Sequence, residues 1–436
     1  MTQHARRPRW YRAAAGAAVM TPALVLALAA APPALADTGG HVTASGGHAA
    51  TLAAGAASME VVHASYLDLT GNVRDLQSRV AAWQTGDDGS LGIAREKLER
   101  IDATLGHVQW PASLIASIGK ARAATVPMQL ALRNADQRAA GAAATTFGDV
   151  SHDLSHDFYG AYLPALKTAS FTPMGPHAAY LDLTANIADL KSTVAVWQGG
   201  DEGSLGVAQE KAERIETLVK HVPSGGPLAK SVGAIQQRLK DVSAALRARN
   251  ARAAQTALAP LSDASHDLTH DFYLWLGETA GVSDPACTQA AYLDLTANVA
   301  DLRARVTAWQ QGDEASLGVA QEKLDRIESV VHHVSWPREL SRAVYATGAS
   351  ILPMERALKA RDVAAAQVAA ARFGDASHDV THDFYGVWLP VAHAPAGAAH
   401  GGAHGEADSL GTTGPGPAPD TKSMVLGAFP AVNAIV

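Results

Sequence analysis

Ser151-His152-Asp153-Leu154-Ser155-His156-Asp157-Phe158-Tyr159 is written three times in this chain, returning with small changes as Ser265 to Tyr273 and as Ser377 to Tyr385. In each copy His stands at i and i+4 and Asp at i+1 and i+5. On a helix both spacings bring like side chains to neighbouring positions on one face. Two imidazoles stacked in this way hold one metal ion. The same letters equally suit a polar face that docks one unit on the next.

The register around the stretch repeats with it. Tyr66, Leu91, His107, His152 and Tyr159 recur as Tyr180, Leu205, His221, His266 and Tyr273, and again as Tyr292, Leu317, His333, His378 and Tyr385. A period of this size is a whole domain rather than a solenoid repeat. Within the first unit, Tyr66, Leu69, Val73, Leu76, Val80 and Trp83 alternate steps of three and four, the apolar stripe of a helix. Ser90 is placed to cap a second helix with Leu91, Ala94, Leu98, Ile101, Leu105 and Val108 inward. A third, less regular helix runs from Ser113 to Asn134. A fourth runs from Ala139 to Leu163, with Phe147, Val150, Leu154 and Phe158 as its stripe and Pro164 as its stop. Short connections favour up-down-up-down packing. The expected fold is all-α, with three tandem up-down-up-down four-helix bundles over residues 58–165, 174–278 and 287–391.

The flanks read differently. Arg6, Arg7, Arg9 and Arg12 precede an apolar run, and Ala34-Leu35-Ala36 has a small-x-small pattern, so residues 1–36 are expected to be an export signal cleaved near Ala36. Residues 37–57 read as a flexible leader, and residues 392–436, rich in Gly, Ala and Pro and bearing His393, His400 and His404, as a disordered low-complexity tail. The formal net charge is −7, and loss of the basic signal leaves the rest more acidic still. That balance argues against a nucleic-acid partner. No apolar run after the signal is long enough to span a bilayer. Cys287 is the only cysteine, which excludes an intrachain disulfide and leaves a disulfide-linked dimer as its one covalent option.

In an up-down-up-down bundle the start of helix 1 and the ends of helices 2 and 4 share one pole. His107, His152 and His156 meet there, as do His221, His266 and His270 in the second unit and His333, His378 and His382 in the third. His63 and His177 precede helix 1 in the first two units, and Gln289 takes that place in the third. The metal ligands expected are the pairs His152/His156, His266/His270 and His378/His382, with His107, His221 and His333 as third ligands. Asp68, Asp182 and Asp294, near the same pole, are expected as further ligands or as acceptors fixing an imidazole tautomer. Such a set suits copper or zinc. Asn72 and Asp75, with their repeats, read as hydrogen-bond partners of Lys97, Arg100 or a neighbouring helix. Glu96, Lys97 and Arg100 read as a solvated face.

Three resemblances bear on this site. His152-Asp153-Leu154-Ser155-His156 resembles the H-E-x-x-H of zinc proteases with Asp for the Glu that serves them as general base. The pair resembles hemerythrin's H-x-x-x-H over one helix of each unit, without the further His, Glu and Asp ligands in matching places. The run from Ala131 to Tyr159 is similar to the last two helices of bundle cytochromes that bind b-type haem. That likeness implies axial ligation by a Met near the start of helix 1, here Met59 or Met174, with His156 or His270; the third unit has no such Met. The expectation drawn is an exported, non-catalytic binder of copper or zinc. The alternatives are a structural or interaction protein whose His-Asp faces pack unit on unit, and, third, haem b-binding bundles. Nothing in the sequence arranges a nucleophile, a base and a pocket for an enzyme.

Overall fold

A computed structural model describes residues 59–165, 176–220, 222, 228–278 and 285–392. The expected signal and leader, His221, Met174 and the tail beyond Ala392 lie outside them. Among the described residues the chain is helical throughout, without a strand. The first segment contains α1 (Met59–Gln84), α2 (Gly89–His107), α3 (Ile115–Arg133), α4 (Gln137–Asp157) and the short α5 (Leu163–Ala165). The second contains α6 (Pro176–Gln198), α7 (Gly203–Leu218), α8 (Ala229–Arg247) and α9 (Ala251–Glu278). The third contains α10 (Pro285–Gln310), α11 (Ala315–His333), α12 (Arg338–Ala349), α13 (Ile351–Ala360), α14 (Val363–Asp383) and α15 (Leu389–Ala392).

The turns recur because their chemistry recurs. Each opening helix ends at a glycine held at positive φ: Gly86 (104°), Gly200 (107°) and Gly312 (98°), a region closed to other residues. Asp136, Asn250 and Asp362 begin the long helices that carry the nine-residue stretch, each side chain accepting from the backbone N–H three residues on. Ser90, expected as the cap of α2, lies inside it and donates its hydroxyl to Asp87. There are two local departures from this pattern. The helix breaks at Ser350 between α12 and α13, ahead of Pro353, whereas Pro127 in the matching place lies inside an unbroken α3. At Phe158–Tyr162 and Phe384–Trp388 the helix widens into a π turn, whereas α9 stays α-helical through the matching aromatics. Cys287 lies in the first turn of α10 and is half-buried.

Within each segment the first helix packs on the second and on the one that carries the stretch. Tyr66, Tyr180 and Tyr292 each stack face to face on Phe158, Phe272 and Phe384, at 3.9 Å between ring centroids. Between segments, α1, α6 and α10 pack pairwise on one another. Their shared faces carry buried polar residues as well as leucines, so the junctions are specified by hydrogen bonds rather than by apolar area alone.

Candidate metal centre

The nine-residue stretch divides its work among its letters. Ser155 accepts the hydroxyl of Tyr66 (2.8 Å) and Asp157 accepts that of Ser117, both within the segment. Tyr159 crosses to the next segment and donates to both carboxylate oxygens of Asp182 (2.6 and 2.8 Å). Tyr273 does the same to Asp294 (2.9 and 3.0 Å), and Tyr385 closes the circuit onto Asp68. Arg214, Arg326 and Arg100 cover the outer faces of these three tyrosines, at 4.7, 5.8 and 5.5 Å from the ring centroids. A buried phenol between a carboxylate and a guanidinium is both a donor and a cation–π platform. Burial first, then the neighbouring carboxylate, pushes all three phenols well above their ordinary range, so each remains a donor at neutral pH.

The expected aspartates belong to these junctions. His63, buried, donates through Nε2 to Asp182 (2.7 Å), and His177 to Asp294 (2.9 Å). Asn186 and Asn298 donate to the same carboxylates, both at 2.7 Å. Asp182 and Asp294 therefore each hold an imidazole, that of His63 or His177 and not one of the paired rings. Asp68 lacks such a partner. It accepts from Thr104 (2.9 Å), Asn72 (2.8 Å) and Tyr385, while Gln289, where the histidine would stand, accepts from Ser65 (2.9 Å). Burial raises the Asp68 carboxyl above its ordinary value, against the opposing pull of Tyr385 and Thr104.

The supposed solvated face is not one. Lys97 and Lys323 are 3 % and 1 % exposed, paired at 2.7 Å with Asp75 and Asp301. Lys211 makes the same contact with Asp189. Periodicity placed these lysines on the outside of an isolated bundle; each instead turns onto the first helix of its own segment, where Asp75, Asp189 or Asp301 receives it.

The paired histidines are what this packing leaves exposed. His152 and His156 are both exposed, with their Nε2 atoms 3.0 Å apart and their rings edge to face at 4.4 Å. As a hydrogen bond such a contact needs one ring to donate and the other to accept. Two nitrogens at 2.0–2.1 Å from a tetrahedral ion lie about 3.3 Å apart, within a small rotamer adjustment of the spacing seen. Glu210 arrives from α7 of the next segment, and one ligand atom from each of His152, His156 and Glu210 lies within 4.8 Å of the others. Among the described residues this is the one such group of three. Glu210 is paired with Arg214, the same guanidinium that covers Tyr159. Asp153 is engaged elsewhere: Lys120 pairs with it at 2.9 Å and holds its carboxyl below the ordinary value.

At the second junction His266 Nδ1 stands 3.8 Å from Glu322, again held by an arginine, Arg326. In the third segment His378 and His382 are exposed, and Glu96 is paired with Arg100. The third histidines expected from the shared pole do not join the pairs. His107 is exposed at the end of α2. His333 lies against Gly277 near the end of α9, where an added Cβ would come 3.5 Å from its Nε2, so it faces the preceding segment rather than His378 and His382. Only Glu210 stands beside a histidine pair as a third donor; Glu322 approaches His266 alone. Their regular recurrence was visible in sequence, but their approach from a neighbouring segment was not.

No protein-family model matches the chain, and comparisons with curated proteins and with solved structures give no match. Among the described residues no helix is long and apolar enough to cross a membrane.

Proposed function

We propose that the chain is an exported, non-catalytic binder of a transition metal, copper or zinc, built as three tandem four-helix bundles, and that it captures or buffers the ion outside the cytoplasm. The observation that carries this reading is the convergence of His152, His156 and Glu210 within 4.8 Å. Two imidazoles and a carboxylate are a donor set of the borderline metals, and they leave a fourth position open to water or to a carrier that takes the ion away. His152 and His156 supply neutral nitrogens, the metal replacing the proton they share, and Glu210 swings from Arg214 to complete the set. Exposed rings suit a hydrated ion that comes and goes. They suit b-type haem poorly, since the macrocycle needs apolar burial around His156 or His270.

The test is elemental analysis of the tag-free chain after equilibration with zinc or copper, compared with His152→Ala/His156→Ala. Loss of about one equivalent with an unchanged helical spectrum is expected. Binding should weaken in acid, because coordination needs the neutral imidazole. Equal metal content in the two proteins would remove the site.

A second reading has its own observation. The Tyr159–Asp182, Tyr273–Asp294 and Tyr385–Asp68 hydrogen bonds favour a scaffold in which the repeated stretch assembles unit on unit. Both readings use the same nine residues without sharing a side chain.

A further inference from the structure

The three junctions are alike on their outer side and unlike in their interior. Two of them are also spanned by the chain itself, between α5 and α6 and between α9 and α10. The third, where the last segment meets the first, has no chain crossing it and the poorest interior: Gln289 replaces the histidine, and its buried Nε2 has no hydrogen-bond partner. The exterior there keeps the residues of the site at the first junction in the same order, but among the described residues only His152, His156 and Glu210 stand within 4.8 Å of one another, so at the seam the side chains must rotate to close the set. Arg100 covers Tyr385 as Arg214 covers Tyr159. Glu96 stands one turn before Arg100 and pairs with it, as Glu210 does with Arg214. His378 and His382 occupy the positions of His152 and His156, and His378 and Glu96 border the same cavity of about 360 Å³.

We propose that His378, His382 and Glu96 form a transition-metal site across this seam, so that the bound ion is a staple between the last segment and the first. The inference rests on the metal-binding reading above and adds a place and a consequence. Glu96 leaves Arg100, as Glu210 leaves Arg214, and the ion takes two nitrogens from α14 and one oxygen from α2. A ligand set drawn from both sides of a junction binds the closed arrangement and not the open one, so metal stabilises closure by mass action. At the other two junctions the linker already holds the partners near each other, and the same coordination adds less.

Hydrogen exchange of the full chain with and without zinc chloride, with zinc content measured alongside, tests this. Zinc should slow exchange across residues 64–76 and 377–389 by at least about tenfold, in the native sequence and in His152→Ala/His156→Ala alike. His378→Ala/His382→Ala should lose that protection and about one equivalent of zinc, and Glu96→Gln should lose most of the protection while keeping weaker binding. Undiminished protection in His378→Ala/His382→Ala, or zinc lost only from His152→Ala/His156→Ala, would overturn the staple and leave the first site standing. No zinc bound to the native chain would overturn both.

Discussion

At the junction of the first and second segments a buried carboxylate, Asp182, receives an imidazole, a phenol and an amide; at the junction of the third and first, Asp68 receives a threonine hydroxyl in place of the imidazole. The substitution is paired. Thr104 stands where the other segments have Leu218 and Val330, and Gln289 stands where they have His63 and His177. A buried carboxylate oxygen without a donor is expensive, and each junction supplies the second donor from a different place. What the two junctions teach is that the satisfied acceptor is the invariant feature, and the residue that satisfies it is negotiable.

The largest effect that would break this comparison is expected from His63→Ala. It strips a charge-assisted hydrogen bond from a buried carboxylate and should cost about 2–3 kcal/mol, against about 1 kcal/mol for Gln289→Ala, whose partner is a neutral hydroxyl. Denaturant midpoints of the two variants check this, and equal losses would mean that the histidine is filler. A transplant sharpens it. Gln289→His and Thr104→Leu together rebuild at the seam the pattern of the first junction, and their effects on stability should be non-additive by about 1 kcal/mol in the favourable direction; simple additivity in a double-mutant cycle would separate the two positions.

The smallest effect concerns pH. Burial raises the Asp68 carboxyl above its ordinary 3.8, so the folded chain holds this proton more firmly than the unfolded chain. The associated stability is fully present below that ordinary value and is lost as pH rises through the folded one. Asp68→Asn removes the titrating group while leaving an oxygen for Tyr385, so its melting temperature should depend less on pH than that of the native chain as pH rises from the ordinary carboxyl value. A parallel pair of curves would place the titration elsewhere.

The helices were legible in the sequence because their determinants are local: the stripe from Tyr66 to Trp83 and the glycine at Gly86. The histidine pairs were legible for the same reason, being one turn apart on one helix. Lys97 and Glu96 were misread together as a solvated face, but for different causes: Lys97 is buried and paired with Asp75 of its own segment, while the approach of another segment carries the glutamate's counterpart, Glu210, to a histidine pair. The role of Tyr159 was hidden likewise, since its partner Asp182 belongs to the next segment. The π turns at Phe158 and Phe384 accompany a glycine and a following proline, Gly160 and Pro164, Gly386 and Pro390, which α9 replaces with Leu274 and Glu278.

Tyr385 follows Asp68 by 317 positions in the chain, and that interval is also a waiting time. When α1 leaves the ribosome, the phenol that its carboxylate requires has yet to be translated. Contacts of such separation form late and slow the overall folding rate. The first segment must therefore persist through synthesis with Asp68 open to water, and the last residues of the third segment decide when the first is finished. A truncation just before Phe384 should accordingly injure both ends of the protein and spare the middle.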